Sequence, residues 1–134
     1  VCVRFLTRRF LMLSSTKKKY MFIIYELRNS GIDVRGIDIS KALNVKKASV
    51  SLMLPNLIDE ELIERTDNGS IDFTQKGAVF AGELYLKYLT FYKFFTDALG
   101  STAENARDDA ICCLCSLTDE NAENMAEYIL KDKK

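Results

Sequence analysis

The stretch that decides the fold runs from Val34 to Arg65, VRGIDISKALNVKKASVSLMLPNLIDEELIER. Ile39, Ala42 and Leu43 form a short apolar helical stripe, and Asn44 follows where a helix would end in a left-handed turn. A second helix comes next, with Val50, Met53, Leu54 and Leu57 at i, i+3, i+4 and i+7, the spacing of one buried face. Its opposite face begins with Lys46, Lys47, Ser49 and Ser51, cationic and hydroxyl side chains suited to phosphates and base edges. Two short helices joined by a tight turn, the second presenting such a face, predict a DNA-binding helix-turn-helix. Pro55 falls on the exposed side of the second helix. It removes the bond to the Ser51 carbonyl, so a kink or a shortened helix is expected there, downstream of the turns that would face DNA.

Leu62-Ile63-Glu64-Arg65, Thr66-Asp67-Asn68-Gly69-Ser70 and Ile71-Asp72-Phe73-Thr74 follow. Asn68-Gly69 between short alternating runs is a hairpin signal, because both residues tolerate positive φ. A hairpin directly after a recognition helix is the wing of a winged helix. The plainer alternative is a small helical core with an incidental hairpin; the order and spacing of helices, turn and hairpin favour the wing. The candidate DNA contacts are Arg35, Lys46, Lys47, Ser49, Ser51 and Asn68.

Upstream, Ser15 or Thr16 can cap a first helix whose face is Tyr20, Ile23, Ile24 and Leu27, ended by Asn29-Ser30-Gly31. Lys17, Lys18 and Lys19 crowd its first turn, where the helix dipole disfavours cations. For Lys17 and Lys18, a solvated helix start and a phosphate-facing patch are both open readings. Downstream, Thr74 caps a long helix reaching about Leu99, before Gly100. It carries Phe80, Tyr85, Tyr88, Phe91, Tyr92, Phe94 and Phe95, more rings than one face of a small monomer needs. A shared dimer core is expected, with a small-molecule pocket lined by these rings as the alternative. A further helix is expected from about Ala103 to Leu117. Thr118 caps a last one, with Ala122, Met125, Ala126 and Ile129 inward, and the terminal Lys-Asp-Lys-Lys should fray.

The 134 residues suffice for one domain, or a small domain with a helical extension, and can bury a real core. The expected architecture is mainly α: an extension over 1–14, a winged helix-turn-helix over 15–76 with a small β-hairpin wing, and a helical dimerisation region over 77–134. Net charge is zero, yet residues 1–50 hold 11 Lys/Arg against 3 Asp/Glu and residues 51–134 hold 8 against 16. That asymmetry suggests a basic binding end and an acidic end with another role. No apolar run approaches the ~20 residues needed to span a membrane. Val1 to Leu13 lacks a signal peptide's continuous apolar core; it reads as a basic arm, or as sequence upstream of a natural start at Met12. Cys2, Cys112, Cys113 and Cys115 lack disulfide-framework spacing, which points to a reducing cytoplasm.

Taken together, Tyr20 with Ile24-Tyr25-Glu26-Leu27, Asp38 to Val45, Ala48-Ser49-Val50, Leu57 with Leu62-Ile63, and Phe73-Thr74-Gln75-Lys76-Gly77 resemble the iron- and manganese-dependent repressors of the diphtheria toxin repressor family. The likeness is to the short manganese-type members and covers roughly Ser15 to Lys131. It implies a homodimeric, DNA-binding transcription regulator, most simply a repressor. The resemblance also implies a metal site, and that site does not carry over. Where the family places its primary ligands the chain has Lys19, Phe22, Tyr88, Ile111, Leu114 and Cys115; at the ancillary site it has Tyr92 and Arg107. It contains no His, and hard divalent cations need oxygen or imidazole donors. No metal cofactor of the family's kind is therefore expected.

Cys112-Cys113-x-Cys115 is the one candidate replacement. Cys112 and Cys115 share a helical face and could hold a soft transition metal or report oxidation. Small buried hydrophobes are the commoner role for such cysteines. An enzyme is not expected, since no nucleophile motif, phosphate-binding glycine loop or acid–base constellation stands out. The function expected is sequence-specific binding of double-stranded DNA by a cytoplasmic homodimer with no membrane partner. The alternatives are a dimeric protein-interaction module that has lost DNA binding, or a regulator sensing a soft metal or redox state through its cysteines.

Overall fold

The computed structural model describes residues 13–131. Cys2, the basic arm expected before residue 13 and the frayed end expected at residues 132–134 lie outside the described residues. In chain order the elements are α1 (Ser15–Asn29), α2 (Gly36–Leu43), α3 (Lys47–Asp59), β1 (Ile63–Arg65), β2 (Ile71–Phe73), α4 (Gln75–Lys93), α5 (Ala103–Ser116) and α6 (Asp119–Lys131). A π-helical turn over Phe94–Ala98 follows α4. The fold is mainly helical with a two-stranded wing, as the sequence predicts. The chain divides into two compact units, residues 19–82 and residues 1–18 with 83–134.

In the unit 19–82, α2 packs on α3 across a tight turn. The Arg35 N–H donates to Asp38 Oδ2 at 2.9 Å, satisfying a backbone donor where α2 begins. Asn44 ends the helix at φ 55°, ψ 48°, and the Val45 N–H reaches back to the Ser40 carbonyl at 3.1 Å. Ile39 and Ser40 are the buried residues of α2. Ala42, expected inward with them, is exposed, because a helix of barely two turns has room for only one side against α3.

Along α3, Val50, Leu54 and Leu57 are buried as their spacing requires, while Met53 is half-buried. Pro55 is exposed within the helix, which nevertheless continues to Asp59. The expected shortening does not occur, since the lost bond lies on the solvated side. Glu61 takes φ 60° just after the helix. Its N–H bonds to the Ile58 carbonyl at 2.9 Å, and Leu62 N–H bonds to the Leu57 carbonyl at 3.0 Å. This is the capping pattern usually given to glycine.

The strands pair antiparallel in the register Ile63↔Phe73, Glu64↔Asp72 and Arg65↔Ile71. Their connection is a five-residue loop rather than a two-residue turn. Gly69 takes φ 82° and Asn68 does not share the left-handed region; instead Asn68 Oδ1 accepts the Ser70 N–H at 3.2 Å. Before α2, the Val34 carbonyl accepts the Ile71 N–H at 2.8 Å, laying an extended segment beside β2. The Arg28–Asp72 ion pair at 3.0 Å and the Tyr25–Phe73 ring contact at 6.3 Å tie α1 to β2.

Thr74 caps α4, its Oγ1 accepting the Gly77 N–H at 3.0 Å and donating to the Glu61 carbonyl at 2.6 Å. The backbone of Gly77 lies so close to Leu62 that a Cβ there would meet the Leu62 carbonyl oxygen at 1.7 Å. Thr74-x-x-Gly77 is thus a clamp between the start of α4 and the chain leaving α3.

In the other unit, α1 starts from Ser14, one residue before the expected caps: Ser14 Oγ accepts the Lys17 N–H at 3.2 Å. Ser15 and Thr16 therefore lie in the first turn. Lys18 is buried and ion-paired with Asp119 of α6. It is not part of a phosphate-facing patch; its four-carbon stem lets the ammonium reach a carboxylate that repays its desolvation. Leu84, Tyr88 and Phe91 of α4 are buried. Tyr85, Tyr88 and Tyr92 form a ladder with ring centroids 5.7 and 5.9 Å apart. Thr102 and Thr118 cap α5 and α6 through their hydroxyls. Ala106, Ala110, Leu114 and Cys115 are buried on α5, as are Ala122, Ala126 and Ile129 on α6. Among the described residues, no helix is long and apolar enough to cross a membrane.

Candidate nucleic-acid interface

The sequence places its cationic and hydroxyl candidates at the start of α3, and every one of them is exposed: Lys46, Lys47, Ser49 and Ser51. Lys46 is the last extended residue before the helix, at φ −71°, ψ 147°. Its carbonyl accepts the Ser49 and Val50 N–H groups at 3.0 and 3.3 Å. No side chain caps this end, so α3 presents bare N-terminal amides beside two lysines, an arrangement that favours a phosphate.

A second cationic point joins the wing. Arg35, exposed just before α2, donates from Nη2 to the Asn68 carbonyl at 3.0 Å. Arg35 and Asn68 are therefore brought together at the loop tip. The Asn68 side-chain oxygen is committed to the loop through the Ser70 N–H. Arg65, which sequence reasoning did not single out, is exposed on β1, with Nη1 3.5 Å from the Gly69 carbonyl. Its signal was available: a cation on an outward position of a three-residue strand.

Sequence reasoning placed Pro55 on the exposed side of α3 but missed Ala48 and Leu52 on the same outermost line. All three are exposed, and Leu52 is 75% accessible. The count of turns from Val50 was enough to find them; an apolar residue on a polar face was overlooked because it carries no hydrogen-bonding group.

The side chains at the positions where the resemblance implies metal ligands differ in exposure. Lys19 is exposed, Ile111 half-buried, and Phe22, Tyr88, Leu114 and Cys115 buried. Tyr88 Oη accepts Arg107 Nη1 at 3.2 Å, and the guanidinium carbon lies 5.8 Å from the ring centre. Among the described residues, no group of three or more His, Cys, Asp or Glu side chains is placed to hold a metal ion. Of the thiols, Cys112 is exposed, Cys113 half-buried and Cys115 buried. Burial, then the neighbouring Cys112 and Asp109, push the Cys113 thiol up, away from the thiolate that metal binding and oxidation require.

Of the long-helix rings, Phe94 lines a cavity of about 490 Å³, together with Lys93, Asp97 and Ala98 around the π-turn and Met125, Tyr128 and Ile129 of α6. In the same unit Leu86, Leu99, Tyr128 and Leu130 are exposed.

Residues 12–69 match the family described as iron dependent repressor, N-terminal DNA binding domain. Among solved structures, the manganese regulator SloR is 26% identical with a TM-score of 0.70, covering 84% of this chain and 53% of that one. IdeR of T. acidophilum is also 26% identical, with a TM-score of 0.72 and coverage of 87% and 55%. The metal-dependent transcriptional regulator MtsR, at 20% identity and a TM-score of 0.73, shares the fold over 86% of this chain and 53% of its own. The chain spans about half the length of these structures. No curated protein matches it by sequence.

Proposed function

We propose, from the match of residues 12–69 to the iron dependent repressor N-terminal DNA binding domain, that this chain is a sequence-specific, DNA-binding transcriptional regulator acting as a homodimer. The observation that carries the reading is the exposed, uncapped start of α3, where Lys46 and Lys47 flank open amides. Those groups anchor phosphates, Ser49 and Ser51 lie toward base edges, and Arg35 and Asn68 present the wing to the backbone. A dimer built by α4, α5 and α6 is supported by the exposed apolar side chains of that unit, and would present two recognition helices to a two-fold site.

The same reading holds that the regulator does not use the family's manganese or iron site. Phe22 and Leu114 are buried hydrocarbon at ligand positions, Tyr88 is engaged by Arg107, and the chain has no histidine. Such a set does not fit a hard divalent cation. A soft metal at Cys112 and Cys115 is not favoured, because one thiol is exposed and the other buried.

The test is fluorescence anisotropy on a duplex selected from a random library, titrated at several salt concentrations. Lys46→Ala and Lys47→Ala should each weaken binding on all sequences and lower the salt slope by about one. Sedimentation of the complex should give two chains per duplex. Unchanged affinity and slope in both variants would refute the assignment.

A further inference from the structure

Leu52 is exposed over 75% of its surface in the middle of α3. An α-helix turns about 100° per residue, which puts Ala48, Leu52 and Pro55 on one line opposite the buried Val50 and Leu54. Ser49 and Ser51 flank that line on its two sides. The element proposed to enter the major groove therefore leads with hydrocarbon and carries its hydroxyls to the left and right. A leucine left this open forfeits the stabilisation that burial would bring, so its environment when occupied is the informative question.

The surroundings commit that environment to one partner. Lys46 and Lys47 are exposed at the start of the same helix, and Arg35 and Arg65 are exposed at the wing. An apolar patch ringed by cations suits a surface that is anionic at its edges and carries an isolated apolar group between them. In duplex DNA that group is the thymine C5-methyl, which projects into the major groove and is contacted by aliphatic side chains.

We propose that Leu52 reads a thymine methyl group in each half-site, with Ala48 beside it keeping the helix close enough to the groove floor for contact. This rests on the DNA-binding reading above and adds to it the base recognised and the side chain that recognises it. The neighbouring Ser49 and Ser51 then contact the polar edges of adjacent base pairs.

The experiment uses the full chain and a duplex recovered from a randomised library. Each thymine of the recovered site is replaced in turn by uracil, which keeps the pairing and deletes only the methyl. For the wild type, one position per half-site should cost about fourfold in Kd, equal to about 0.8 kcal/mol at 1.4 kcal/mol per decade. Leu52→Ala, whose fold is checked by its melting curve, should bind more weakly and no longer distinguish thymine from uracil there. A wild type that binds every uracil-substituted duplex as it binds the parent, while still preferring the selected sequence, overturns the role of Leu52 and leaves DNA binding standing. Equal methyl discrimination by wild type and Leu52→Ala overturns it as well. Failure to recover any preferred duplex overturns both readings.

Discussion

At the scale of single residues, two backbone positions carry more weight than their side chains suggest. Gly77 has no room for even one carbon, because the Leu62 carbonyl oxygen occupies the place a Cβ would take. Gly77→Ala must push α4 off the chain leaving α3, stretching the Thr74 bond to the Glu61 carbonyl in the process. A loss of about 3 kcal/mol is expected, at the upper end of overpacking costs, measurable as a lower midpoint in urea unfolding. A variant as stable as the wild type would mean that the close approach is not maintained in solution. Glu61 is the opposite case. It holds a left-handed conformation with a Cβ, at φ 60°, on an exposed surface. Glu61→Gly removes that steric cost while retaining both capping bonds, and should stabilise by up to about 1 kcal/mol after the extra entropy of the unfolded glycine is counted. A destabilised Glu61→Gly would show that the carboxylate contributes more than the strain costs.

At the scale of elements, α4 shows what partial burial among charges does to a lysine. Burial holds the Lys87 ammonium below the ordinary lysine range, against the pull of Glu123, Glu83 and Asp119 and with a smaller push from Lys18. The unfolded chain therefore binds this proton more tightly than the native one. Stability must then rise with pH between the lowered native value and the ordinary value of 10.5, and stay level outside that window. Melting temperatures from pH 7 to 10.5 should shift in favour of the wild type relative to Lys87→Met; parallel curves would contradict this. Elements of this kind were legible in the sequence because their signals are local. The apolar spacing of α3, the threonines before α4 and α6, and Asn44 after α2 each act within one or two turns. What was not legible depends on partners far along the chain. The burial of Lys18 needs Asp119, the need for glycine at position 77 needs Leu62, and the extended pairing of Val34 needs Ile71. The candidate interface was legible in its α3 charges and hydroxyls, whereas Leu52 and Arg65, which the spacing of α3 and β1 also puts outward, were passed over.

At the scale of the whole molecule, the proposed function makes DNA binding by this chain indifferent to the manganese after which the similar regulator SloR is named. Operator affinity in chelator and in excess Mn²⁺ or Fe²⁺ under reducing conditions should agree within error. A reproducible tenfold tightening, about 1.4 kcal/mol of coupling, would reveal a metal site that the present residues do not suggest. The division of the chain has a consequence of another kind, one of timing. Residues 19–82 are consecutive, whereas the other unit joins residues 1–18 to residues 83–134 across that whole span. During synthesis, at about 5–20 residues per second, residues 83–134 take roughly 3–10 s to appear. Small helical units close their local contacts in microseconds to milliseconds. The winged helix thus has time to form while residues 83–131 are still being made, and residues 13–18 must wait for those later helices before their unit can close.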